Sequence, residues 1–496
     1  MMNTPTSPIF TEETISDAGS AGIFQRLQGQ DVRFLHGPGQ WLIWSGKHWD
    51  ADKDGEIIRR ALCVSEHWAS QAEDAFRESI KLAQLGDKER SRQSAEQANT
   101  YRKNALQTQN IRKIKDFLEI AKAHPEIAIT SRNLNSNPLL LNTNSCTVDL
   151  QTGDIYKHRR EDLINRIAGC DYQPESLTPA FDAFLNSSMP DKDMQDFLQR
   201  IIGYTSTGSN KEQVFFVHYG AGGNGKSVFL EAIRAALGDY AQAAESSTFI
   251  AEQNDRSSSI PNDLARLDGV RSVFVPDVPQ GGKWKDGIIK QITGGDTITA
   301  RYLHKEFFDF EPVAKIHVRA NHRPRAEDDD GFWRRARLIP WEVQPQNKDR
   351  ALPEKLKKEL PGILAWVVAG AIRWHQMGLE APARVTEATS AYRSQQSGIK
   401  DWIDECCYAK DGLFTPLAHL HSNYLDWAKE EDIKYPFGKR KLADKLESLG
   451  FKRATGSGNV KGILGIGVQA PDYHDRTQLD DFGFPVTGYK PDTLRI

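Results

Sequence analysis

The sequence predicts an α/β core organised round a phosphate-binding loop, with an α+β domain before it and a winged-helix domain after it. Three observations carry that prediction. An apolar, β-prone run, Gln213–Tyr219, leads into Gly220-Ala221-Gly222-Gly223-Asn224-Gly225-Lys226-Ser227, and a run of helical period, Val228–Leu237, follows and stops at Gly238. Buried-type strands recur after that loop at Arg271–Pro276 and Ala314–Ala320. Near the C-terminus, two helix-period stretches precede a pair of β-like runs, the order of helices followed by a β-wing.

The loop explains its own composition. Its glycines let backbone N–H groups turn toward a polyphosphate without side-chain obstruction, and the helix N-terminus adds partial positive charge. Lys226 is placed to reach the outer phosphates and the Ser227 hydroxyl to ligate Mg²⁺, so ATP and Mg²⁺ are the expected ligands.

The totals bound the rest. A chain of 496 residues has room for about three domains. Its 39% hydrophobic content supports ordinary cores, and its net charge of −3 excludes an overall polycation, so nucleic-acid binding must come from local patches. Cys63, Cys146, Cys170, Cys406 and Cys407 are odd in number and lack metal-site spacing; this argues against a zinc module and fits a reducing cytoplasm. The start lacks the pattern of a signal peptide, and no apolar run approaches spanning length, so no membrane is expected.

In chain order, residues 1–22 are polar and expected to be flexible, and 23–178 to form the α+β accessory domain. Val32–Leu35, Trp41–Trp44 and Lys47–Trp49 read as an antiparallel meander. Asp50–Gly55 superficially resembles the start of a calcium loop, but the twelfth position is Ala61 rather than a bidentate Glu; it reads as an acidic turn capping a helix from near Glu56. Glu56–Ala123 is largely helical and charged, with Leu85–Arg102 either a solvated helical hairpin or partly flexible, and β-like features return over Leu139–Tyr156.

Residues 179–397 form the expected nucleotide domain, entered by helices over Pro179–Thr205. Asp277 ends a buried strand, where a carboxylate can hold the Mg²⁺ shell and polarise an attacking water. Thr297–Leu303 and Phe307–Phe310 pair, putting His304 and Lys305 at a hairpin tip suited to DNA phosphate; Lys290 is a further expected DNA contact. Asn321, after the next strand, can bond a γ-phosphate or the attacking water. Arg334, Arg335 and Arg337 beside Leu338–Pro340 invite the role of an arginine finger supplied to a neighbouring subunit. Leu360–Ile372 is an apolar helix, and Pro382 marks a break. Residues 398–496 are the expected winged-helix domain and tail, with helices at Leu417–Glu430 and Lys439–Leu449 and strands at Phe451–Arg453 and Gly462–Ile466. Lys439, Arg440 and Lys441 head its basic region as DNA contacts, and the tail after Gln469 is expected to be irregular.

With these residues assembled, the chain resembles the helicase part of phage and plasmid primase-helicase proteins, whose motors are superfamily 3 helicases. The resemblance covers residues 28–470 and rests on Trp41–Trp49, Asn142–Leu150, Phe197–Tyr204, the phosphate loop, Lys290–Arg301, Asn321–Pro324, Gly331–Pro340 and Gly362–Trp374. It implies an AAA+-like core in a hexameric ring that threads single-stranded DNA with 3′→5′ polarity. It makes Asn321 the sensor, Arg335 the best match to the arginine finger, and His304 and Lys305 pore contacts. Two departures stand out: the family usually shows Glu where Asp277 stands, and the region before Asp31 is too short for the primase that full-length relatives carry, so a separate primase is an expected partner. The expected function is an ATP-dependent replicative helicase of a phage, plasmid or satellite element. The alternatives are an origin-binding initiator whose C-terminal domain takes duplex DNA, and a non-motor ring ATPase acting on proteins.

Overall fold

The computed structural model describes residues 14–251, 262–279, 282–301, 307–326, 329–346, 349–396, 399–431 and 436–469. Two compact units divide it, one through Ser390 and one from Ala391.

The larger unit begins with a helix, Asp17–Gln28, so the expectation that the chain is loose as far as residue 22 is corrected over 17–22. Ser16 caps this helix by accepting from the Gly19 N–H at 3.0 Å, and Ala21, Ile23 and Phe24 bury one side of it. Val32–Leu35, Gln40–Trp44 and Trp49–Ala51 form the expected antiparallel meander, and Ala128–Ile129 joins its first strand in parallel. The acidic turn is a cap: the Asp52 carboxylate accepts from the N–H groups of Gly55, Glu56 and Ile57 at 3.0, 2.9 and 3.1 Å. Helices Cys63–Gln84 and Lys88–Gln107 make a hairpin held partly by serine hydroxyls, Ser91 on Ser79 O and Ser94 on Ala75 O. Leu140–Asn142, Thr147–Asp149 and Ile155–Tyr156 form a second small sheet.

At the centre of this unit lies a five-stranded, all-parallel sheet. Its spatial order is Ala336–Pro340, Phe215–Tyr219, Lys315–Ala320, Ser272–Val275, Ala241–Ala243, which in chain order is 5-1-4-3-2. Its three inner strands are buried on both faces, as a parallel sheet requires, while the edge strand Ala241–Ala243 is partly exposed. Ile298–Ala300 and Phe308–Phe310 pair antiparallel as expected.

Helix Lys192–Ser206 ends against this sheet with its last carbonyls turned inward. Arg271, 3% exposed, donates to Ser206 O at 2.9 Å, and Lys315, 1% exposed, donates to Thr207 O and to Val313 O at 2.9 Å. Cations at a helix C-terminus complement the dipole and the orphan carbonyls. The same helix crosses Leu360–Met377 backbone to backbone: a Cβ on Gly203 would lie 2.0 Å from Ala371 N, and one on Gly370 would lie 2.1 Å from Gln199 O.

The smaller unit runs helix Ile399–Cys406, strand Cys407–Pro416, helices Leu417–Glu430 and Lys439–Ser448, and strands Lys452–Thr455 and Lys461–Val468. The strands form an antiparallel sheet in the order first-third-second around Trp402, Leu420, Tyr424, Leu446 and Ile466. The first helix and first strand of this unit are absent from the sequence reading. All five cysteines are free thiols, and among the described residues no helix is long and apolar enough to cross a membrane.

Gly203→Ala forces the two crossing helices apart. The expected cost is roughly 1–3 kcal/mol or more, read as a lowered melting transition with an unaltered one for a surface control such as Glu73→Ala.

Candidate functional site

The strand Phe215–Tyr219 delivers the chain to the loop 220–225, and helix Lys226–Leu237 leaves it. Glycine is required here by contact as well as conformation. Gly225 has φ 91°, and a Cβ on it would meet a Phe184 ring carbon at 2.7 Å and Ser188 Oγ at 2.8 Å. The loop opens on a cavity of about 620 Å³. Gly222 to Ser227, Asp277 and Asn321 all line it, so four sequence-predicted chemical groups from three strand ends meet: the Lys226 ammonium, the Ser227 hydroxyl, the Asp277 carboxylate and the Asn321 amide. Helix Pro179–Ser188 adds Ala180, Ala183, Phe184 and Ser187, one face at helical spacing, and the chain beyond the last strand adds Pro345, Leu352 and the Asp349–Lys355 ion pair at 2.7 Å.

Lys226 is 3% exposed, and its Nζ donates to Gly220 O at 2.6 Å, Ala221 O at 3.2 Å and Asn224 Oδ1 at 3.0 Å. Burial lowers its pKa from the ordinary lysine value; the Asp277 charge opposes that shift and Arg319 adds to it. Asn224, also buried, donates from Nδ2 to Trp341 O at 2.6 Å. Trp341 N in turn donates to Tyr219 O at 2.7 Å, so the lysine is referenced to the end of the strand Ala336–Pro340.

Beneath the loop runs a buried polar chain. The Trp341 indole lies 3.2 Å from His218 Nδ1, His218 Nε2 3.1 Å from His317 Nδ1, and His317 Nε2 2.8 Å from Thr205 Oγ1. Thr205 Oγ1 donates to Ile201 O at 2.6 Å. An indole N–H can only donate, so His218 accepts at Nδ1 and donates from Nε2, and His317 does the same one step on. Both rings are neutral. Burial pushes His218 down to about 3 and holds His317 well below the usual histidine value.

Arg319, which the sequence reading missed, also lines the cavity, and its Nε lies 2.9 Å from Asp277 Oδ1. The signal was there: Arg319 stands two residues before Asn321, and alternate residues of a strand share a face. The other predicted residues lie elsewhere. Arg335 does not line its own chain's cavity; it is 8% exposed and donates to Gly331 O at 2.7 Å. Lys290, expected on DNA, pairs with Asp329 at 2.6 Å. His304 and Lys305 lie outside the described residues, as does the tail beyond Gln469. Lys439, Arg440 and Lys441 are exposed on one helix, while Arg453 pairs with Asp444 and, at 3.0 Å, with Glu447, the two acids of that region.

Chemically, the cavity offers backbone N–H groups, an ammonium, a guanidinium and an amide, which suits a polyphosphate. Mg²⁺ is held by one or two protein oxygens alongside substrate phosphates; the exposed Ser227 hydroxyl and Asp277 carboxylate, on the same cavity, fit that demand. Among the described residues no cluster of three or more His, Cys, Asp or Glu could hold a metal by itself.

Comparison with known proteins matches residues 21–190 to the D5 N terminal like family and residues 218–335 to a family of unknown function, DUF5906. The chain is 28% identical to a putative helicase of Acanthamoeba polyphaga mimivirus over 60% of this chain and 34% of that protein, and 29% identical to a putative helicase of Frog virus 3 over 49% and 27%. It thus spans about a third of the length of these curated relatives. Among solved structures, the apo NrS-1 C-terminal region is 12% identical over 90% of this chain and 99% of that one, with a TM-score of 0.43.

The imidazole chain gives a pH signature. Unfolded histidine takes a proton near pH 6.5, whereas the folded rings stay neutral well below it. The unfolded chain therefore binds more protons, and stability falls as pH drops from about 6.5 toward 3. Between pH 7 and 5 the expected loss is on the order of 2 kcal/mol per imidazole. Thermal unfolding at the two pH values should show it, and a His218→Phe, His317→Leu double variant should lose most of that dependence.

Proposed function

We propose that this chain, a member of the phage and viral primase-helicase family, is an ATP-driven, Mg²⁺-dependent replicative DNA helicase of a mobile element, moving 3′→5′ on single-stranded DNA as a hexameric ring. The observation that carries the reading is the meeting of Lys226, Ser227, Asp277 and Asn321 on one cavity at the ends of a parallel sheet. The strand order 5-1-4-3-2 around a loop that follows the first strand supports an AAA+-like core. The named viral relatives support the helicase class.

In this reading the loop N–H groups and Lys226 hold the β- and γ-phosphates, and Asn321 orients the attacking water. Asp277 and Ser227 hold Mg²⁺, which supplies neutralisation of the phosphate oxygens when bound. The apolar part of the lining, Ala180, Ala183, Phe184 and Leu352, is the surface that takes the nucleoside. Arg335, within Arg334–Arg337, is read as the arginine finger for a neighbouring subunit's nucleotide. The sequence-based hairpin tip, His304 and Lys305, grips the strand.

The smaller unit favours a second reading, an origin-binding initiator. Its helix-strand-helix-helix-strand-strand order and first-third-second sheet support a winged helix, and Lys439–Lys441 lie exposed on one of its helices. Charge reversal of Lys439, Arg440 and Lys441 in the full chain should abolish a duplex footprint on element DNA in the initiator, and leave unwinding of a tailed duplex intact in the helicase.

Purified protein should hydrolyse ATP, faster with single-stranded DNA, and displace a strand from a 3′-tailed duplex. Lys226→Ala should lower hydrolysis by roughly a hundredfold or more, and Lys305→Ala should remove displacement while sparing basal hydrolysis. Robust hydrolysis without displacement on any tail rejects the helicase; no hydrolysis rejects the site.

A further inference from the structure

Four charged or amide groups at the phosphate end of the cavity leave an uneven balance. Lys226 and Arg319 are cationic and Asp277 is the anion beside them; Asn321 is neutral. Lys226 is surrounded by its own loop, at Gly220 O, Ala221 O and Asn224 Oδ1. Arg319 is held differently. Only its Nε edge is engaged, with Asp277 Oδ1 at 2.9 Å; neither terminal nitrogen of its guanidinium has a partner among the described residues. The side chain is 21% exposed and the Asp277 side chain 53%, so this pair is wet on one side. Such a solvent-facing pair is weak and readily exchanged. A phosphate facing both terminal nitrogens offers the guanidinium a bidentate, charge-assisted partner instead.

Position restricts which phosphate that can be. Arg319 stands near the end of strand Lys315–Ala320, two residues before Asn321, and both line the cavity with Lys226 and Asp277. The guanidinium thus faces the same cavity as the ammonium of the loop and the amide beyond the strand end.

We propose that Arg319 is a catalytic residue acting within its own subunit: its guanidinium contacts the terminal phosphate of the bound nucleoside triphosphate, exchanging its hold on Asp277 for that phosphate. This rests on the reading of the cavity as a nucleotide site. The exchange makes the pair a discriminator of triphosphate from diphosphate. With a triphosphate bound, the Asp277 carboxylate is released to face the metal shell and the water. With a diphosphate, Arg319 stays on Asp277. A shorter carboxylate than the family's usual Glu is thereby compensated by a cation that the same cavity supplies.

The test is binding of a non-hydrolysable ATP analogue and of ADP to full-length protein, with Mg²⁺ and again in EDTA. Arg319→Ala should weaken the analogue roughly tenfold or more while ADP stays within about twofold, with the loss persisting in EDTA, and should lower kcat roughly a hundredfold. Arg319→Lys, which keeps the charge on a slightly shorter side chain without the bidentate fork, should recover part of the analogue binding and guards against a variant that does not fold. Equal weakening of both nucleotides, no weakening of either, or a loss that vanishes in EDTA overturns the proposal, since the last would mean Arg319 acts only by holding Asp277 for the metal. If wild-type protein binds neither nucleotide, the nucleotide-site reading itself fails, a result separate from the Arg319 outcome.

Discussion

Buried cations without carboxylates hold the larger unit together. Arg271, Lys315, Lys226 and Arg200 are each less than 10% exposed, and each directs its donors to peptide carbonyls: Ser206 and Leu140, Thr207 and Val313, Gly220 and Ala221, Leu379 and Glu380. Burying a charge is costly unless hydrogen bonds surround it. The carbonyls that do so here are those that regular structure leaves over, at a helix end, a loop and a chain reversal. Arg271, Lys315 and Arg200 therefore tie one element to the end of another, while Lys226 closes its own loop. Arg271 alone joins the small sheet at Leu140 to the helix end at Ser206 from its place beside the central sheet.

That arrangement shapes the cavity. The helix whose end is fastened by Arg271 and Lys315 also supplies Thr205 to the imidazole chain, and that chain ends at Trp341, whose carbonyl positions Asn224. The loop lysine is thus referenced to the body of the sheet through hydrogen bonds rather than through the loop's own stiffness. A glycine-rich loop can open toward a ligand and still return its ammonium to one place.

What the sequence disclosed was local. The phosphate loop is a contiguous string with a fixed physical purpose, and Asn321 and Asp277 declare themselves by ending apolar strands. Arg319 stayed hidden because its meaning depends on Asp277, in a different strand, even though its phase with Asn321 was readable. Lys290 looked available because Asp329 is distant in sequence. Helix Asp17–Gln28 was obscured by small and polar residues round Ile23 and Phe24, and strand Cys407–Pro416 by a mostly exposed pattern broken by a bulge. In the smaller unit, a count of basic residues overstated the patch, since Arg453 sits between two acids on the neighbouring helix.

The indole of Trp341 settles more than its own contact. It has no lone pair to offer, so it decides at one end which way every dipole in the row beneath the loop is oriented. A hydroxyl in its place, able both to donate and to accept, would not impose a direction at that end of the row. A single aromatic nitrogen thus gives the floor of the cavity a permanent polarisation, set once when the chain folds.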